Sequence, residues 1–334
     1  ISPVPEVKIV STDGSPTDNN DDATGEVMLD VEIAAGLCPK AKIVVYFAEW
    51  GDQGWISALD AANSDEENDP GVISVSWGLS EGQMWARGQG WTPSAIHSVN
   101  ESLNDLAVSN VTVCVAAGDD GSSDAFNPSD GLAHVDFPAS SPYVLSVGGT
   151  TIPIKGGTAP DIVWKEGSGL RPEGGSTGGG VSSVPFSNTK ERPDWQNNIT
   201  IRSVNPGAIN GRCIPDLSAN ADWNASPYLL VVNGRSEPNG GTSAAAPLIA
   251  GLLTLINAAR PAGKRVGYLT PVLYQTIGAH NKTVGAVGCT DVTHGNNITA
   301  QIGGYTAGPG YDAVSGWGTP NGKKLAQAIA QATD

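Results

Sequence analysis

The chain alternates short, nearly continuous apolar runs with longer stretches in which apolar residues recur at helical spacing. Apolar runs of about four to eight residues are typical of strands buried on both faces, and the helical stretches between them would cover those strands. This alternation predicts an α/β fold with a central, mostly parallel sheet flanked by helices on both faces. The predicted strands are residues 7–10, 41–48, 72–77, 111–117 and 143–147, and the predicted helices are residues 25–36, 55–63 and 94–109.

The second half of the chain is richer in glycine, serine and proline. Residues 156–197 predict surface loops with one short strand near Ile162. A strand at 228–233 leads through a turn into the longest apolar run, and two more helices are predicted at about 271–277 and 321–332. No internal repeat or linker marks a second unit, so residues 1–334 are expected to form a single domain.

Residues 240–247 read Gly-Gly-Thr-Ser-Ala-Ala-Ala-Pro and open that apolar run. The two glycines permit a tight turn, and Thr242 is expected to cap the helix that follows. Ser243 then lies in the first turn, where free backbone N–H groups and the positive end of the helix dipole favour a developing negative charge. Such a position suits a nucleophile. Taken alone, however, the same motif is more common for a serine that only lies at the start of a buried helix.

Three acidic residues are candidates to act with Ser243. Glu26 and Asp30 are four residues apart on a predicted helix, so they share one face. The apolar residues around them indicate a buried pair that shares a proton, and the alternative is a solvated acidic face. Asp119 follows the predicted strand at 111–117 in Ala-Ala-Gly-Asp, where a ligand can approach the backbone closely or where the acid simply closes a turn.

No histidine has an identifiable partner, so the base that acts on Ser243 is expected to be a carboxylate. The four histidines are His97, His134, His280 and His294.

Composition excludes several classes of partner. With 34 acidic residues against 18 basic ones, the net charge is −16, so neither nucleic acid nor an anionic membrane is an expected partner. No stretch is expected to reach the roughly 18 apolar residues of a membrane helix. Four cysteines (Cys38, Cys114, Cys213 and Cys289) match no zinc pattern and leave three full disulfide pairings open.

Six N-glycosylation sequons favour a eukaryotic secretory route. The expected location is therefore outside the cell or in an acidic vacuolar or lysosomal compartment. The sequons begin at Asn100, Asn110, Asn198, Asn224, Asn281 and Asn297.

Three motifs in order along the chain, Gly-Glu26-x-x-x-Asp30, Ala-Ala-Gly-Asp119 and Gly-Thr-Ser243-Ala-Ala-Ala-Pro, resemble those of the sedolisin family of serine-carboxyl peptidases. Residues 73–78 and 134–139 extend the resemblance over nearly the whole chain. It implies a subtilisin-like fold and an acid-active endopeptidase, or a tripeptidyl-peptidase, that forms an acyl-enzyme through a Ser243–Glu26–Asp30 triad.

The resemblance also implies that Asp119 stands in the oxyanion site. A carboxylate there would repel the oxyanion, so Asp119 must be protonated to help. Activity is therefore expected to fall as the pH rises from about 4 towards 7.

Two further sites are implied by the resemblance. The strand at 74–78 is expected to pair with an extended peptide or protein substrate, and Asp136 to favour a basic side chain near the scissile bond. One Ca²⁺ ion is expected in a late loop, held by two carboxylates and three backbone carbonyls. The substrate-binding residues are then Ser74, Ser76, Trp77, Gly78 and Asp136, and the calcium ligands are Asp291, Val292, Gly308, Gly310 and Asp312.

Members of this family carry a further segment before the region where this chain begins, with an early strand and an acid near the catalytic Glu. A separate N-terminal light chain that stays bound to the catalytic domain is therefore expected. Two other functions stay open. One is a non-catalytic relative that binds peptides; the other is a glycosidase that uses Glu26 and Asp30, which would leave Ser243 without a role.

Overall fold

The computed structural model describes residues 4–15, 17, 23–81, 90–125, 130–153, 160–171, 174–278 and 281–333. The helices in these residues are α1 (Ala23–Leu37), α2 (Asp52–Ser64), α3 (Pro93–Val108), α4 (Thr242–Ala259), α5 (Thr270–Leu273), α6 (Val284–Gly288) and α7 (Gly322–Thr333). The strands are β1 (Glu6–Ser11), β2 (Lys42–Phe47), β3 (Val72–Val75), β4 (Leu79–Ser80), β5 (Thr112–Ala116), β6 (Asp136–Phe137), β7 (Leu145–Thr151), β8 (Ile162–Val163), β9 (Gly180–Val181), β10 (Cys213–Ile214), β11 (Leu217–Asn220), β12 (Tyr228–Val232), β13 (Arg235–Asn239), β14 (Thr276–Ile277), β15 (Lys282–Thr283), β16 (Cys289–Thr290) and β17 (Thr319–Pro320).

A five-stranded sheet forms the centre of the fold. Strands β11, β7, β5 and β3 lie side by side in that order and run parallel, and β8 pairs antiparallel with the end of β7. Side chains alternate along each strand, so Cys114 and Ala116 of β5 face one layer, while Val113 and Val115 face the other. The predicted α/β fold with a mostly parallel central sheet is confirmed.

Helices cover both faces of this sheet. On one face, α4 packs through Ala245, Ile249 and Leu253 against β5, β7 and β11, and α5 and α7 complete the layer. On the other face, α3 packs through Val99 and Leu103, with α2 beside it. The two apolar layers hold the sheet between them and fix where each strand ends.

Parallel strands bring their carboxyl ends to one edge of the sheet. Strands β3 and β5 end at Val75 and Ala116, so the segments that carry Ser76 and Asp119 emerge side by side. Helix α4 packs on the same strands and begins near that edge, where the N–H of Gly118 donates a 3.2 Å hydrogen bond to Thr242 Oγ1. This edge therefore collects the residues that the sequence singled out.

Some elements differ from the prediction. Strand β2 pairs in parallel with β1 and, in the part of the chain that the structure describes, is not hydrogen-bonded to the central sheet. Strand β11 was not predicted, because Leu-Ser-Ala-Asn has little strand-forming character. The predicted strand at 228–233 is present as β12, but it returns as β13 in a hairpin before α4 begins.

Two helix boundaries also differ. The position before α4 is occupied by Gly241, whose φ of 82° favours glycine, so Thr242 is the first helical residue and not the cap. The helix predicted at 271–277 ends at Leu273, and Thr276 and Ile277 pair with β15 instead.

Helix α4 corrects one further expectation. Among the described residues, Thr242–Ala259 is long and apolar enough to cross a bilayer by length and composition alone, which no stretch was expected to be. In this fold, 56% of it is buried inside the protein. The core helix of a domain has the same composition as a membrane helix, and α4 lies in such a core.

Three of the four cysteines and one sequon are buried. All four cysteines are free, and Cys38, Cys114 and Cys213 lie in the interior. Asn297 is fully buried, where its amide nitrogen donates to the Gly179 carbonyl and its amide oxygen accepts from the Tyr305 N–H. A glycan cannot be attached to Asn297 in the folded chain, so this sequon was wrongly counted.

Candidate active site

Packing between α1 and α4 brings the predicted triad together. Leu29 and Ile33 of α1 pack on Ala244 in the first turn of α4 and on Leu230 of the β12 hairpin. Because Glu26 and Asp30 precede Leu29 and Ile33 by three residues each on α1, this packing holds the two carboxyls near the start of α4. The buried helix that the sequence indicated is thus the element that carries both acids to Ser243.

Glu26 is the carboxyl next to Ser243. Its Oε1 is shielded from solvent and accepts no hydrogen bond from any residue that the structure describes. Burial raises the pKa of Glu26 to about 7, although the neighbouring Ser243 hydroxyl lowers it. The charges of Asp119 and Arg171 act in opposite directions on the same pKa, the first raising it and the second lowering it.

Asp30 lies deeper than Glu26 and is held by Ser76. Oγ of Ser76 lies within hydrogen-bond distance of Oδ1 of Asp30, at 2.6 Å, and of the backbone carbonyl oxygen of Ser243, at 3.1 Å. Burial raises the pKa of Asp30 to about 8, the Ser76 hydrogen bond lowers it, and the nearby charge of Glu26 raises it further. Both acids therefore hold their protons to a higher pH than exposed carboxyls do.

The Ser243 hydroxyl points at the end of β3. It donates a 3.5 Å hydrogen bond to the carbonyl of Ser76, so both residues bond to each other's backbone. The three histidines that the structure describes bond elsewhere: His97 to Glu101, His134 to Asp130, and His294 to Thr293. His280 lies outside the described residues. A carboxylate remains the expected base for Ser243.

Asp119 is anchored to the first residue of α4. The backbone N–H and the hydroxyl of Thr242 both donate to Oδ1 of Asp119, at 2.8 and 2.7 Å. The other oxygen, Oδ2, lies over Gly241, where a Cβ would come within 2.7 Å of it. Thr242 therefore fixes the orientation of the carboxyl, and Oδ2 lies beside Gly241, two residues before Ser243.

Three of the five residues expected to bind substrate lie near one another, next to the segment that leads to Asp119. Gly78 is packed so closely on the Asp136 carboxyl that a side chain there would collide with it, and Asp136 also lies beside Gly118. Trp77 is 39% exposed and packs edge-to-face on Trp50, with ring centroids 5.9 Å apart. Trp77, Gly78 and Asp136 thus adjoin the segment that leads to Asp119.

Ser74 and Ser76 have other surroundings. Ser74 lies inside β3, where it pairs with Cys114, and its hydroxyl is buried without a partner among the described residues. The Ser76 side chain is buried and bonded to Asp30 and to the backbone of Ser243, so it joins the predicted acid on α1 to the start of α4. This contact could not be predicted from sequence, because no local pattern distinguishes a strand serine that bonds a distant side chain from one that binds substrate.

Arg171 is a residue that sequence reasoning missed. Its guanidinium donates to both carboxyl oxygens of Asp120, from Nη2 at 2.6 Å and from Nε at 3.2 Å. Asp120 directly follows Asp119 and is only 4% exposed, whereas the Arg171 side chain is 41% exposed. Arg171 comes from the glycine-rich region predicted as surface loops, where no periodicity marks any single residue.

Comparison with known proteins identifies the chain. The sequence profile of the subtilase family of peptidases matches residues 15–318. Kumamolisin from Bacillus sp. (strain MN-32) is 43% identical over 332 residues, which are 97% of this chain and 55% of kumamolisin. The chain belongs to the sedolisin family of serine-carboxyl peptidases. The order and spacing of the Glu26, Asp30, Asp119 and Ser243 motifs agree with that membership.

Two further relatives show how much of this chain, and how much of each relative, the sequence similarity covers. Sedolisin from Pseudomonas sp. (strain 101) is 30% identical over 96% of this chain and 52% of the relative. Tripeptidyl-peptidase 1 from Homo sapiens is 30% identical over 91% of this chain and 51% of the relative. This sedolisin-family chain thus spans about half the length of the curated relatives that it matches.

A solved sedolisin structure supports the fold. Pseudomonas sedolisin, described as a serine-carboxyl proteinase complexed with two molecules of pseudo-iodotyrostatin, superimposes with a TM-score of 0.77 and 29% sequence identity. The match covers 98% of this chain and 84% of that one. The predicted subtilisin-like fold is confirmed.

The loop at 308–312 gathers the residues expected to hold calcium in this member of the sedolisin family. The N–H of Gly310 donates to Oδ2 of Asp291 at 2.7 Å, and the N–H of Gly308 donates to Oδ2 of Asp312 at 2.9 Å. Burial raises the pKa of Asp312. Backbone N–H groups of this one short loop thus contact both carboxylates.

The atoms of this loop fit a hard cation. Carboxylate and carbonyl oxygens are the ligands that Ca²⁺ takes in proteins. Within the described residues no group of three or more His, Cys, Asp or Glu forms a metal site, and the predicted set needs only two carboxylates because backbone carbonyls supply the rest. The Ser315 hydroxyl reaches both Oδ1 of Asp312 and the carbonyl of Val292, which ties these two predicted ligands to one side chain.

Proposed function

We propose that this chain is the catalytic domain of an acid-active endopeptidase that hydrolyses peptide bonds through an acyl-enzyme. In this proposal Ser243 is the nucleophile, Glu26 the general base, Asp30 the acid that orients Glu26, and Asp119 a protonated donor to the oxyanion. The observation that carries the proposal is the position of Ser243 at the start of α4, beside a buried carboxyl with a raised pKa and without a histidine bonded to it among the described residues.

The reaction begins when Glu26 takes the proton of Ser243 Oγ while that oxygen attacks the peptide carbonyl carbon. The oxyanion that forms accepts a hydrogen bond from the proton on Asp119 Oδ2. Glu26 then gives its proton to the leaving amine, and the acyl group stays on Ser243 until water, activated by Glu26 in the same way, releases it. Asp30 keeps its proton throughout, because burial raises its pKa to about 8, well above the acid range in which the reaction is proposed to run.

Acid activity is supported by the protonation states that this reaction needs. Glu26 must be ionised and Asp119 protonated in the same molecule, so activity follows the product of the two fractions. A rise in pH favours the ionised form of Glu26, but Asp119 can donate to the oxyanion only while it carries a proton. Activity therefore declines on the alkaline side and is retained into the acid range.

The substrate proposed here is an extended peptide that lies along the segment after β3. Trp77 and Gly78 would face its backbone and its apolar side chains. Asp136 is buried and its Oδ1 has no partner among the described residues, so a basic substrate side chain would find an unpaired acceptor there. Burial, followed by the charges of Asp124, Asp119 and Glu81, raises the pKa of Asp136, and a bound cation would favour its ionised form.

Calcium is proposed as a structural ion. Asp291 and Asp312 would hold it with the carbonyls of Val292, Gly308 and Gly310, and bound Ca²⁺ would supply positive charge that offsets the two carboxylates. To bind it, the carboxylates would exchange the N–H groups of Gly308 and Gly310 for the ion. The ion would brace the loop and take no part in peptide cleavage.

A secretory location is proposed from the sequons that remain after Asn297 is excluded. Asn110 and Asn281 are exposed at positive φ, in loops where a glycan has room. Release from the cell or delivery to an acidic compartment would suit the proposed acid activity.

The experiment that tests this function measures cleavage of fluorogenic peptides between pH 3 and pH 8. Ser243→Ala, Glu26→Gln and Asp30→Asn should each lose at least 100-fold in kcat/KM, the lower end of what a positioned acid or base contributes. Ser64→Ala, on the exposed end of α2, is the matched control and should keep full activity. Full activity of Ser243→Ala would refute the proposal.

Two alternatives are separated by the same assay. A non-catalytic peptide-binding relative would cleave no peptide at any pH but would still bind peptides. A tripeptidyl-peptidase, as named for one relative, would cleave peptides with a free amino terminus and leave those with a blocked one intact. Cleavage inside an N-terminally blocked peptide is the result expected for an endopeptidase.

A further inference from the structure

Glu166 joins two tryptophans from distant parts of the chain. The indole N–H of Trp164 donates to Oε1 of Glu166 at 2.8 Å, and the indole N–H of Trp223 donates to Oε2 at 2.7 Å. The two rings meet edge-to-face, with centroids 5.9 Å apart. The side-chain amide of Asn224 also donates to Oε2. One carboxyl group thus connects the segment after β8 to the segment after β11.

Trp164 packs against the backbone that holds Asp119. A Cβ at Gly175 would come within 2.3 Å of the Trp164 ring and 3.3 Å of the Asp119 carbonyl oxygen, so Gly175 lies directly between them. The next residue, Ser176, donates its N–H to the Asp119 carbonyl at 2.9 Å and its hydroxyl to the Trp164 carbonyl at 3.3 Å. The N–H of Glu166 donates to the Gly175 carbonyl at 2.8 Å. The backbone of Asp119 is therefore held from the side of Trp164 and Glu166.

Trp223 packs against the turn that leads into α4. A Cβ at Gly240 would come within 2.8 Å of the Trp223 backbone nitrogen and 3.0 Å of its Cβ, so the turn is in direct contact with Trp223. The next residue, Gly241, donates its N–H to the carbonyl of Ala221 at 2.7 Å. Gly241 is also the residue beside which Oδ2 of Asp119 lies. The segment of Trp223 and Ala221 therefore positions the turn before the proposed nucleophile.

The two sides of this arrangement meet at Asp119. Its carbonyl is held from the Trp164 side, and its carboxyl lies beside the turn that is held from the Trp223 side. A shift of one tryptophan relative to the other would therefore move the Asp119 carboxyl relative to Ser243. Glu166 restrains such a shift, because its two hydrogen bonds fix both indoles in distance and direction.

We propose that Glu166 is a positioning residue for the proposed reaction: by bonding both indoles, it sets where the Asp119 carboxyl stands relative to the Ser243 hydroxyl. This inference rests on the proposed function, because it concerns the oxyanion donor of that reaction. Burial raises the pKa of Glu166, and the hydrogen bonds from Trp164 and Asn224 lower it. A protonated Glu166 can donate to the neighbouring Asp222 carboxyl and still accept from both indoles, so the arrangement persists at acid pH.

The test compares kcat and KM of Glu166→Gln with those of the parent at pH 4. Glutamine has one acceptor oxygen, and its amide nitrogen only donates, so one indole N–H loses its acceptor. Because the oxyanion donor acts in the transition state, we expect kcat to fall roughly 10- to 100-fold, as for a displacement of about 1 Å, and KM to change by no more than about twofold.

Trp223→Phe tests the same contact from the other partner. It removes one indole N–H and keeps an aromatic ring, so it should lower kcat by a similar factor. The double variant with Glu166→Gln should be no worse than either single variant, because both changes break one contact. If Glu166→Gln does not fold, as judged by its melting temperature, Trp223→Phe replaces it.

A double-mutant cycle with Asp119→Ala separates a positioning role from a purely structural one. If Glu166 acts through Asp119, Glu166→Gln should change kcat by no more than about twofold in that background. The background itself is expected to be about 100- to 1,000-fold slower than the parent, which a higher enzyme concentration makes measurable. Glu191→Gln is the matched control: Glu191 also accepts a hydrogen bond, from the Asn210 N–H, on an exposed part of the surface, and the variant should behave as the parent.

Three outcomes would overturn the inference. They are a parent-level kcat in Glu166→Gln, a loss that is carried by KM and not by kcat, and a loss of kcat that is as large in the Asp119→Ala background as in the parent. Each leaves the proposed function intact, provided that Ser243→Ala, measured in parallel, is inactive. Activity in Ser243→Ala would instead remove the proposed function itself.

Discussion

Ser76 Oγ lies 2.6 Å from Asp30 Oδ1 and 3.1 Å from the backbone carbonyl of Ser243. A serine hydroxyl has one proton and cannot donate it to both oxygens. Both bonds form when Asp30 carries a proton and donates it to Ser76 Oγ, which frees the Ser76 proton for the carbonyl. Because burial raises the pKa of Asp30 to about 8, this arrangement holds across the acid range.

The first prediction is that Ser76→Ala impairs catalysis more than stability. Its loss removes the contact that joins Asp30 to the backbone of Ser243. We expect kcat/KM to fall roughly 5- to 50-fold, as for the loss of one to two hydrogen bonds made by polar or charged groups. The melting temperature should change little. Ser64→Ala serves as control, and parent-level activity in Ser76→Ala would show that this contact is dispensable.

The second prediction concerns stability and pH. The pKa values of Glu26 and Asp30 are about 7 and 8 in the folded protein, against 4.5 and 3.8 as ordinary values. The folded state therefore binds these protons more tightly than the unfolded state, so their contribution favours folding most at low pH and is lost as the pH rises from about 4 to about 8. Each group should account for a few kcal/mol of that loss.

Urea unfolding at pH 4, 6 and 8 measures this effect, with Ser243→Ala as the background so that self-cleavage is absent. Glu26→Gln and Asp30→Asn should each flatten the decline in the free energy of unfolding. Asp60→Asn, exposed on α2, should not. A decline of unchanged slope in both active-site variants would mean that neither acid is protonated in the folded state.

The third prediction concerns Asp119→Asn. An asparagine can keep Oδ1 as the acceptor for the Thr242 N–H and hydroxyl and place Nδ2 as a donor that does not ionise. We expect the variant to retain measurable activity and to lose less of it than the parent does as the pH rises from about 4 towards 7. A pH–rate profile that matches the parent's on the alkaline side would exclude Asp119 as the titrating donor.

The fourth prediction concerns calcium. A chelator should lower the melting temperature of the full chain, because an ion that binds only the folded state stabilises it in proportion to RT ln(1 + [L]/Kd). Asp312→Asn can keep the hydrogen bonds that Oδ1 accepts from Val314 and Ser315 while it loses the charge, so it should abolish the response to chelator. Asp194→Asn, on the surface, should respond as the parent does. Equal melting temperatures with and without chelator, in calcium-loaded protein, would contradict the proposal.

Much of the fold could be predicted because its apolar pattern is regular. The alternation of buried strands and helices in the sequence was enough to predict the central sheet and the helical layers on both of its faces. The four-residue spacing of Glu26 and Asp30 was enough to predict that they share one face of α1. Strand β11 was missed because its burial comes from position in the sheet and not from strand-forming residues. Thr242 was predicted to cap α4 with its side chain, but its hydroxyl donates to the carboxyl of Asp119 instead.

The site was harder to predict where it depends on contacts between distant segments. Ser76 and Asp30 are 46 residues apart, and Arg171 and Asp120 are 51 apart. No local pattern reveals which serine or arginine will meet a buried carboxylate, because only the folded topology brings the partners together. The burial of Asn297 could not be predicted for the same reason: its sequon is complete in the sequence, and only the fold places it in the interior.

The most direct test of the central claim is the detection of an acyl group on Ser243. The parent is mixed with a peptide substrate at pH 4, quenched in acid within milliseconds to seconds, digested and analysed by mass spectrometry. We predict that the peptide containing Ser243 gains the mass of the substrate's acyl portion, that Glu26→Gln accumulates far less of it, and that Ser243→Ala shows none and does not cleave the substrate. Cleavage by Ser243→Ala at the parent's rate, or an acyl group on a different residue, would contradict the Ser243–Glu26–Asp30 mechanism.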